Sequence, residues 1–238
     1  APVTPLARFS KAVYTSDEPF EAGIEVVNYS DKAIENAVID WKLTDRNGKS
    51  VAQGEFPARS LPAGENSSAG TIRCPLNTIA EAKELNLSAT LKGTVYTNEW
   101  KIWVYPASLS VDKGEIVVTD RLAVAEKALQ DGKNVLFNPP YESLKGLEGK
   151  FVPVFWSPVH FPKQAGTMGL LLDPAHPAFA RFPTDGHTDW QWWRLTTQSK
   201  TLCIDSLYTE VTPLVECVDN FANNRRLTNL FETNCLNG

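Results

Sequence analysis

All three histidines, the only methionine and four of the seven tryptophans of this chain fall between Phe151 and Leu195. Indole rings pack on the C–H faces of sugars while Asp, Gln and His satisfy hydroxyls at the ring edge. Histidines grouped with carboxylates can hold a metal, and a thiol beside a histidine and an acid can act as a nucleophile. Breaks at Pro158, Pro162, Gly166, Pro174, Pro177, Pro183 and Gly186 exclude long regular structure here and fold the stretch back on itself. Trp156, His160, Lys163, Gln164, His187, Asp189, Trp190 and Trp192 are therefore expected to converge on one side of their domain, in a mixed cleft or a docking surface. The plainer alternative is core packing, because large aromatic side chains are mostly buried.

Several chemistries are disfavoured by spacing. His160, His176 and His187, with Asp173, Asp185 or Asp189, match no zinc signature, so no metal and no cofactor is expected. Cys74, Cys203, Cys217 and Cys235 show no C-x-x-C pair. Cys203 sits in Thr201-Leu202-Cys203-Ile204-Asp205, a plain strand pattern without the glycines of a nucleophile turn, and reads as an inert buried thiol. Asn28-Tyr29-Ser30, Asn66-Ser67-Ser68 and Asn86-Leu87-Ser88 fit the glycosylation sequon, a pattern short enough to occur by chance. A net charge of -5 without a basic cluster argues against nucleic-acid and anionic-membrane partners. No apolar run approaches the roughly 20 residues that span a bilayer, and the start APVTPLARFS has neither part of a signal peptide, so a soluble segment is expected.

The elements that must position these residues divide at the middle of the chain. At 238 residues, 42% hydrophobic and 21% charged, there is material for two globular domains. From Tyr14 to Tyr105 short strands alternate with turn signals, as in an antiparallel sandwich. Ile39, Trp41 and Leu43 share one face of a strand; Leu85, Leu87, Ala89 and Leu91 do the same in another, and Trp100, Ile102 and Val104 in a third. Asn47-Gly48 suits a type I′ hairpin.

After Ala107 the pattern alternates strand and helix. Glu115 to Thr119 and Asn134 to Phe137 read as parallel strands around a helix capped by Asp120, with Leu122, Ala125, Ala128 and Leu129 as its apolar face and Gly132 as its end. Val152 to Trp156, Met168 to Leu172, Leu202 to Ile204 and Leu214 to Val218 suit buried strands, His176 to Phe182 a short helix and Asn224 to Glu232 another. The expected architecture is a sandwich over residues 1–106 and an α/β domain over 107–238, flavodoxin-like or amidotransferase-like and cut short at its C-terminus.

The order of elements and Asn98-Glu99-Trp100-Lys101-Ile102-Trp103-Val104-Tyr105-Pro106 resemble the immunoglobulin-like domain that follows the barrel in family 2 glycoside hydrolases. Phe155-Trp156-Ser157-Pro158, Lys163-Gln164, Thr167-Met168-Gly169, Asp173-Pro174 with His176-Pro177, and Trp190-Gln191-Trp192-Trp193 resemble the region downstream of that domain in some bacterial members, a degenerate glutamine-amidotransferase-like domain. The resemblance implies a non-catalytic, structural C-terminal portion of an exo-β-glycosidase of the β-galactosidase-like type. Its partner would be an upstream catalytic barrel carrying the paired carboxylates that glycoside hydrolysis needs, and the parent protein would be periplasmic or secreted. A carbohydrate-binding module using the tryptophan loops and a free-standing amidotransferase-like hydrolase are the alternatives.

Overall fold

The computed structural model describes residues 1–149, 160, 167–205, 207 and 210–236, and the protein is mostly β with several sheets. It forms two compact units, one of Ala1–Leu109 with Arg181–Pro183 and one of Ser110–Ala180 with Thr184–Gly238. The expected strand Val152 to Trp156 lies outside the described residues. No helix among the described residues is long and apolar enough to cross a membrane.

The first unit contains β1 (Val3–Arg8), β2 (Val13–Thr15), β3 (Pro19–Asn28), β4 (Ile34–Ala37), β5 (Ile39–Asp45), β6 (Ser50–Glu55), β7 (Arg59–Leu61), β8 (Glu65–Pro75), β9 (Lys83–Leu91) and β10 (Thr97–Tyr105). Two sheets, ordered β1-β3-β8 and β2-β10-β9-β5-β6, contribute to one core, and β4 pairs with β7 beside them. Only β2 runs parallel to its neighbour β10 in those two sheets. Period-two alternation builds that core: Phe20, Ala22, Ile24 and Val26 from β3 share it with Leu85, Leu87, Ala89 and Leu91 from β9. Asn98 in β10 links the sheets by donating Nδ2 to Pro5 O (3.1 Å).

Trp103 points away from that core yet is buried. Its Nε1 donates to Pro183 O (3.0 Å), and the Phe182 ring lies 6.1 Å from that of Tyr105. Asn28 is also buried; its Nδ2 donates to Lys32 O and Leu61 O (2.9 and 2.8 Å), and its Oδ1 accepts from Ser30 N (3.0 Å). With every polar atom engaged, this asparagine is a pin between connections and offers no amide for a glycan.

Asn47-Gly48 does not make a type I′ turn. Gly48 alone has positive φ (+79°), Gly48 N donates to Asp45 O (2.9 Å), and Asp45 Oδ1 accepts from Asn47 N and Lys49 N (both 3.0 Å). The aspartate side chain selects a longer turn closed by a left-handed glycine over the two-residue alternative.

In the second unit β11 (Val117–Thr119), α1 (Leu122–Gln130) and β12 (Val135–Phe137) form a strand-helix-strand unit with a parallel pair. Gly132 N donates to Leu129 O and Lys133 N to Ala128 O (both 3.0 Å), with Gly132 at φ +72°, so the helix ends in a Schellman motif. Asp120 does not cap it; Thr119 Oγ1 takes Arg121 N (3.1 Å) just before it. Ala125 and Ala128 are buried, whereas Leu122 is exposed.

The rest overturns the α/β expectation, flavodoxin-like or amidotransferase-like. β13 (Leu147–Glu148), β14 (Thr167–Leu172), β15 (Lys200–Cys203), β16 (Thr212–Asp219) and β17 (Leu227–Glu232), with α2 (Trp192–Thr197) between β14 and β15, form a five-stranded sheet ordered β13-β15-β17-β16-β14. Every pairing in it is antiparallel. The physical reason lies at Asn224 to Glu232: Leu227, Leu230 and Phe231 fit a helical stripe, but a tight turn after Asp219 returns the chain along β16, and the segment satisfies its backbone as a hairpin strand. The helix expected at His176 to Phe182 is a single 3-10 turn, Pro177–Phe179.

Gly70 tests how tightly the sandwich is packed. At φ +147° its Cβ would lie 2.6 Å from Phe56 Cδ1, so Gly70→Ala is expected to destabilise by about 2–3 kcal/mol, read as a lower urea midpoint. Gly23→Ala, whose Cβ would meet nothing closer than 3.9 Å, should be neutral or slightly stabilising. Equal midpoints for the two variants would contradict this packing.

Candidate functional site

The tryptophan-rich segment is built on Asp189. Residues just before it are zipped to β14: Leu170 N donates to Thr188 Oγ1 (2.6 Å), Leu172 N to Gly186 O (3.1 Å), and His187 bridges Leu171. Asp189 Oδ1 then accepts from Gln191 N (3.0 Å) and Asp189 O from Trp192 N (3.2 Å), which starts α2. This is an Asx turn leading into a helix, the arrangement short acidic side chains favour.

Helical spacing decides where the indoles go. Trp192 and Thr196 face inward and are buried, while Trp190 and Trp193, three apart, face solvent at 69% and 45% exposure. The exposed rings lean on each other, with centroids 6.2 Å apart and planes at 51°. Inside, Trp192 Nε1 donates to Thr184 Oγ1 (2.8 Å), and the Thr184 hydroxyl has Asp185 O (3.1 Å) and Asp189 Oδ2 (3.5 Å) within reach. Gln191 Nε2 donates to Asp189 Oδ2 (3.1 Å). The Trp192 ring meets Phe179 edge-on at 6.1 Å, and Phe179 meets His176 at 6.2 Å. His176 Nδ1 accepts from Ala178 N (3.2 Å) and so caps the 3-10 turn.

Of the expected site residues, Asp189 and Trp192 are therefore brought together through Thr184, and Trp190 is turned outward. His187 is exposed with Nδ1 3.0 Å from Thr188 O, and His160 is exposed in a turn. Trp156, Lys163 and Gln164 lie outside the described residues. Thr184, Gln191 and Trp193 were not anticipated. A period of 3.6 across Trp190-Gln191-Trp192-Trp193 would have paired Trp190 with Trp193; reading the segment as loop or strand paired it with Trp192.

Burial pushes the Asp189 carboxyl above its ordinary value, against the Gln191 hydrogen bonds that pull it down. Asp219 is the contrasting acid. Burial alone would raise it, but Arg225 donates from Nε (2.8 Å) and Nη2 (3.2 Å), joined by Arg225 N and Asn220 N, and together they hold it below its ordinary value. That pair pins the turn from β16 to β17, in which Phe221 is exposed.

The thiols stay apart. Cys203 and Cys217 are both in register with Leu227 from opposite sides, which separates them by two strand spacings, about 10 Å and beyond disulfide reach. Burial pushes the Cys217 thiol up to about 12. Cys203 is only partly buried, contrary to expectation, and its Sγ lies 3.4 Å from Asp205 Oδ2. Among the described residues no three His, Cys, Asp or Glu side chains are grouped to hold a metal.

A family model described as a domain of unknown function, DUF8487, matches residues 116–238, just over half of the chain. The chain belongs to the DUF8487 family. A second model, DUF8488, also described as a domain of unknown function, matches residues 18–106. The DUF8487 region takes in β11 to β17, so the Asp189 network, the exposed indoles and the Asp219–Arg225 pair all lie within it. Comparison with curated proteins finds no match.

Among solved structures the chain is similar to the sporulation control protein Spo0M of Bacillus subtilis, at 14% identity and a TM-score of 0.34, over 44% of this chain and 50% of that one. The CARDB domain of PF1109 from Pyrococcus furiosus matches at 14% identity and a TM-score of 0.34, over 44% and 94%. A β-glucosidase from Listeria innocua in complex with glucose matches at 14% and 0.34, over 45% and 16%. The chain thus spans half the length of Spo0M and a sixth of that glucosidase, and likenesses this slight say nothing of activity.

The two acids should titrate with opposite signs. Asp219, lowered in the fold, adds stability that is present above its ordinary 3.8 and lost as pH falls through its lower folded value. Asp219→Asn is expected to cost about 2–3 kcal/mol near neutral pH, and less on acidification. Asp189, raised in the fold, favours folding when protonated, so its contribution falls as pH rises from 3.8 through the raised value. Urea titrations of wild type and Asp189→Asn across pH 3 to 7 should show wild type losing ground to the variant with rising pH. A difference independent of pH would contradict the burial of Asp189.

Proposed function

We propose that this chain is a non-catalytic accessory portion of a bacterial exo-β-glycosidase of the family 2 type, an immunoglobulin-like sandwich followed by a DUF8487 domain. The observation that carries the reading is that the buried polar groups between Thr184 and Trp192 are spent on one another. Asp189, Thr184, Gln191 and the Trp192 indole bond among themselves to fix α2. Glycoside hydrolysis needs two carboxyl groups about 5–9 Å apart facing a shared sugar, whereas Asp189 is committed to its own turn. Among the described residues after Asp189, the rings of Trp190 and Trp193 are turned outward.

The asparagine-to-proline stretch that closes the sandwich and the aromatic motifs beyond it support the assignment to this type of enzyme. The partner would be an upstream catalytic barrel, and the parent would be periplasmic or secreted. The exposed indoles favour saccharide contact as an additional duty of the same accessory portion.

The coding sequence preceding Ala1 tests the assignment directly: a barrel with two active-site carboxylates is expected, and an unrelated module or a start codon there would overturn it. The chain by itself should release no chromophore from aryl β-glycosides. Turnover abolished by changing a single acid of this chain would refute the accessory role.

A further inference from the structure

We infer that Asn47-Gly48 is a covalent modification site, a pair able to close into a cyclic imide that Asp45 holds in check, and that its conversion to an isoaspartyl link releases β6 from β5. The inference is independent of the accessory reading above.

An asparagine carries an electrophilic amide carbon within reach of the next residue's backbone nitrogen, and glycine in that next place hinders the approach least. Attack of Gly48 N on Asn47 Cγ forms a C–N bond, the Gly48 N proton passes to solvent, and the side-chain nitrogen departs as ammonia. Water then opens the imide at either carbonyl. One opening leaves an aspartyl residue at position 47; the other leaves an isoaspartyl link, in which the main chain runs through the former side chain. Water is the only co-reactant, and nothing is oxidised or reduced.

The surroundings leave room for that closure. Asn47 and Gly48 are both exposed, and a Cβ at Gly48 would meet nothing within 4 Å. The pair joins β5 to β6, and β6 is the outermost described strand of its sheet, with Gln53, Gly54 and Glu55 exposed. A hairpin at a sheet edge opens locally for much less free energy than the whole domain needs to unfold.

In the closed turn Asp45 opposes the reaction in three ways. Its O accepts from Gly48 N (2.9 Å), which engages the proton that has to leave. Its Oδ1 accepts from Asn47 N and Lys49 N (both 3.0 Å), and its N donates to Lys49 O (3.0 Å), so the backbone is fixed on each side of the pair. The same Oδ1, bonded to the amides that flank Gly48 N, sets a negative charge beside a nitrogen that must itself become anionic. Asp45 is held from the inner side of the sheet, in register with Leu85 of β9 and with Oδ2 3.9 Å from Lys83 Nζ. The guarding residue is thus anchored on β9, while the guarded pair sits at the edge.

Conversion dismantles the turn that delayed it. The isoaspartyl link lengthens the main chain between positions 47 and 48, so Gly48 N and Lys49 N cannot both return to Asp45. A new carboxylate also stands two residues from the existing one. The pairing of Thr44 with Ser50 across the turn is lost first, and β6 follows. Because ammonia is lost, the change runs one way.

The test is incubation of the full chain for weeks at neutral pH, folded and in unfolding guanidinium, with peptide mapping and isoaspartyl methyltransferase labelling at position 47. Mapping separates this pair from Asn237-Gly238. The folded chain is expected to convert about 10-fold more slowly than the unfolded chain, or slower still. Asp45→Ala, with its circular dichroism unchanged, should convert about 10-fold faster than folded wild type. Asp45→Asn keeps the acceptor oxygen without the charge and should fall between the two. Gly48→Ala should slow conversion about 10-fold even in guanidinium. Hydrogen exchange of the β6 amides should be about 10-fold faster in the converted protein. Equal rates in the folded and unfolded chain overturn the inference, as does an Asp45→Ala rate equal to that of wild type or an absence of conversion at position 47 in the unfolded chain. Conversion that leaves the β6 amides exchanging as before overturns the release.

Discussion

Taking an amide or a carboxylate out of water costs several kcal/mol unless every lone pair and proton finds a partner, and this demand governs how the strands are connected. Asn28 answers it by tying the end of β3 to the carbonyls of Lys32 and Leu61. Glu84, buried on the outer face of β9, answers it with Arg46 and with Lys101 at 3.2 Å. Asp189 turns the chain into α2, and Asp219 with Arg225 turns β16 into β17. The apolar cores supply the driving force, but these buried polar groups choose which turn each connection makes.

The same demand separates structure from surface in the tryptophan-rich segment. An indole carries one N–H, and Trp192 is buried because Thr184 accepts it. Trp190, just before this six-residue helix, and Trp193, within it, are exposed. One sequence motif thus holds a buried anchor and exposed rings, divided by helical periodicity. Asp189 serves the turn that starts α2.

The second unit shows why short apolar runs mislead. A parallel strand pair around α1 does exist, and extending that pattern forward produces an α/β domain. The extension fails because the strands that follow are joined by a hairpin at Asn220 to Arg226 and by longer excursions, and all pair antiparallel. Buried strands of four to eight residues carry no mark of direction; direction comes from how the connection closes, and here the turn is pinned by the half-buried Asp219–Arg225 pair.

By itself the sequence determined the elements whose signal is local and repeated. The alternation in β3, β5, β9 and β10 specifies which face meets the core, and the helix from Leu122 with glycine past its end is written in composition and spacing. Tertiary structure decided whatever depends on which partner a group meets in the fold: that the Asp45 side chain overrides Asn47-Gly48 in choosing a turn, that Leu227 to Glu232 pairs as a strand between β15 and β16, and that Thr184 buries Trp192 and leaves Trp193 outside. The physical reason is common to all three. Propensities between competing local states differ by about 1 kcal/mol or less, while leaving one buried polar group unsatisfied costs about 1–3 kcal/mol, so the available partner settles the outcome.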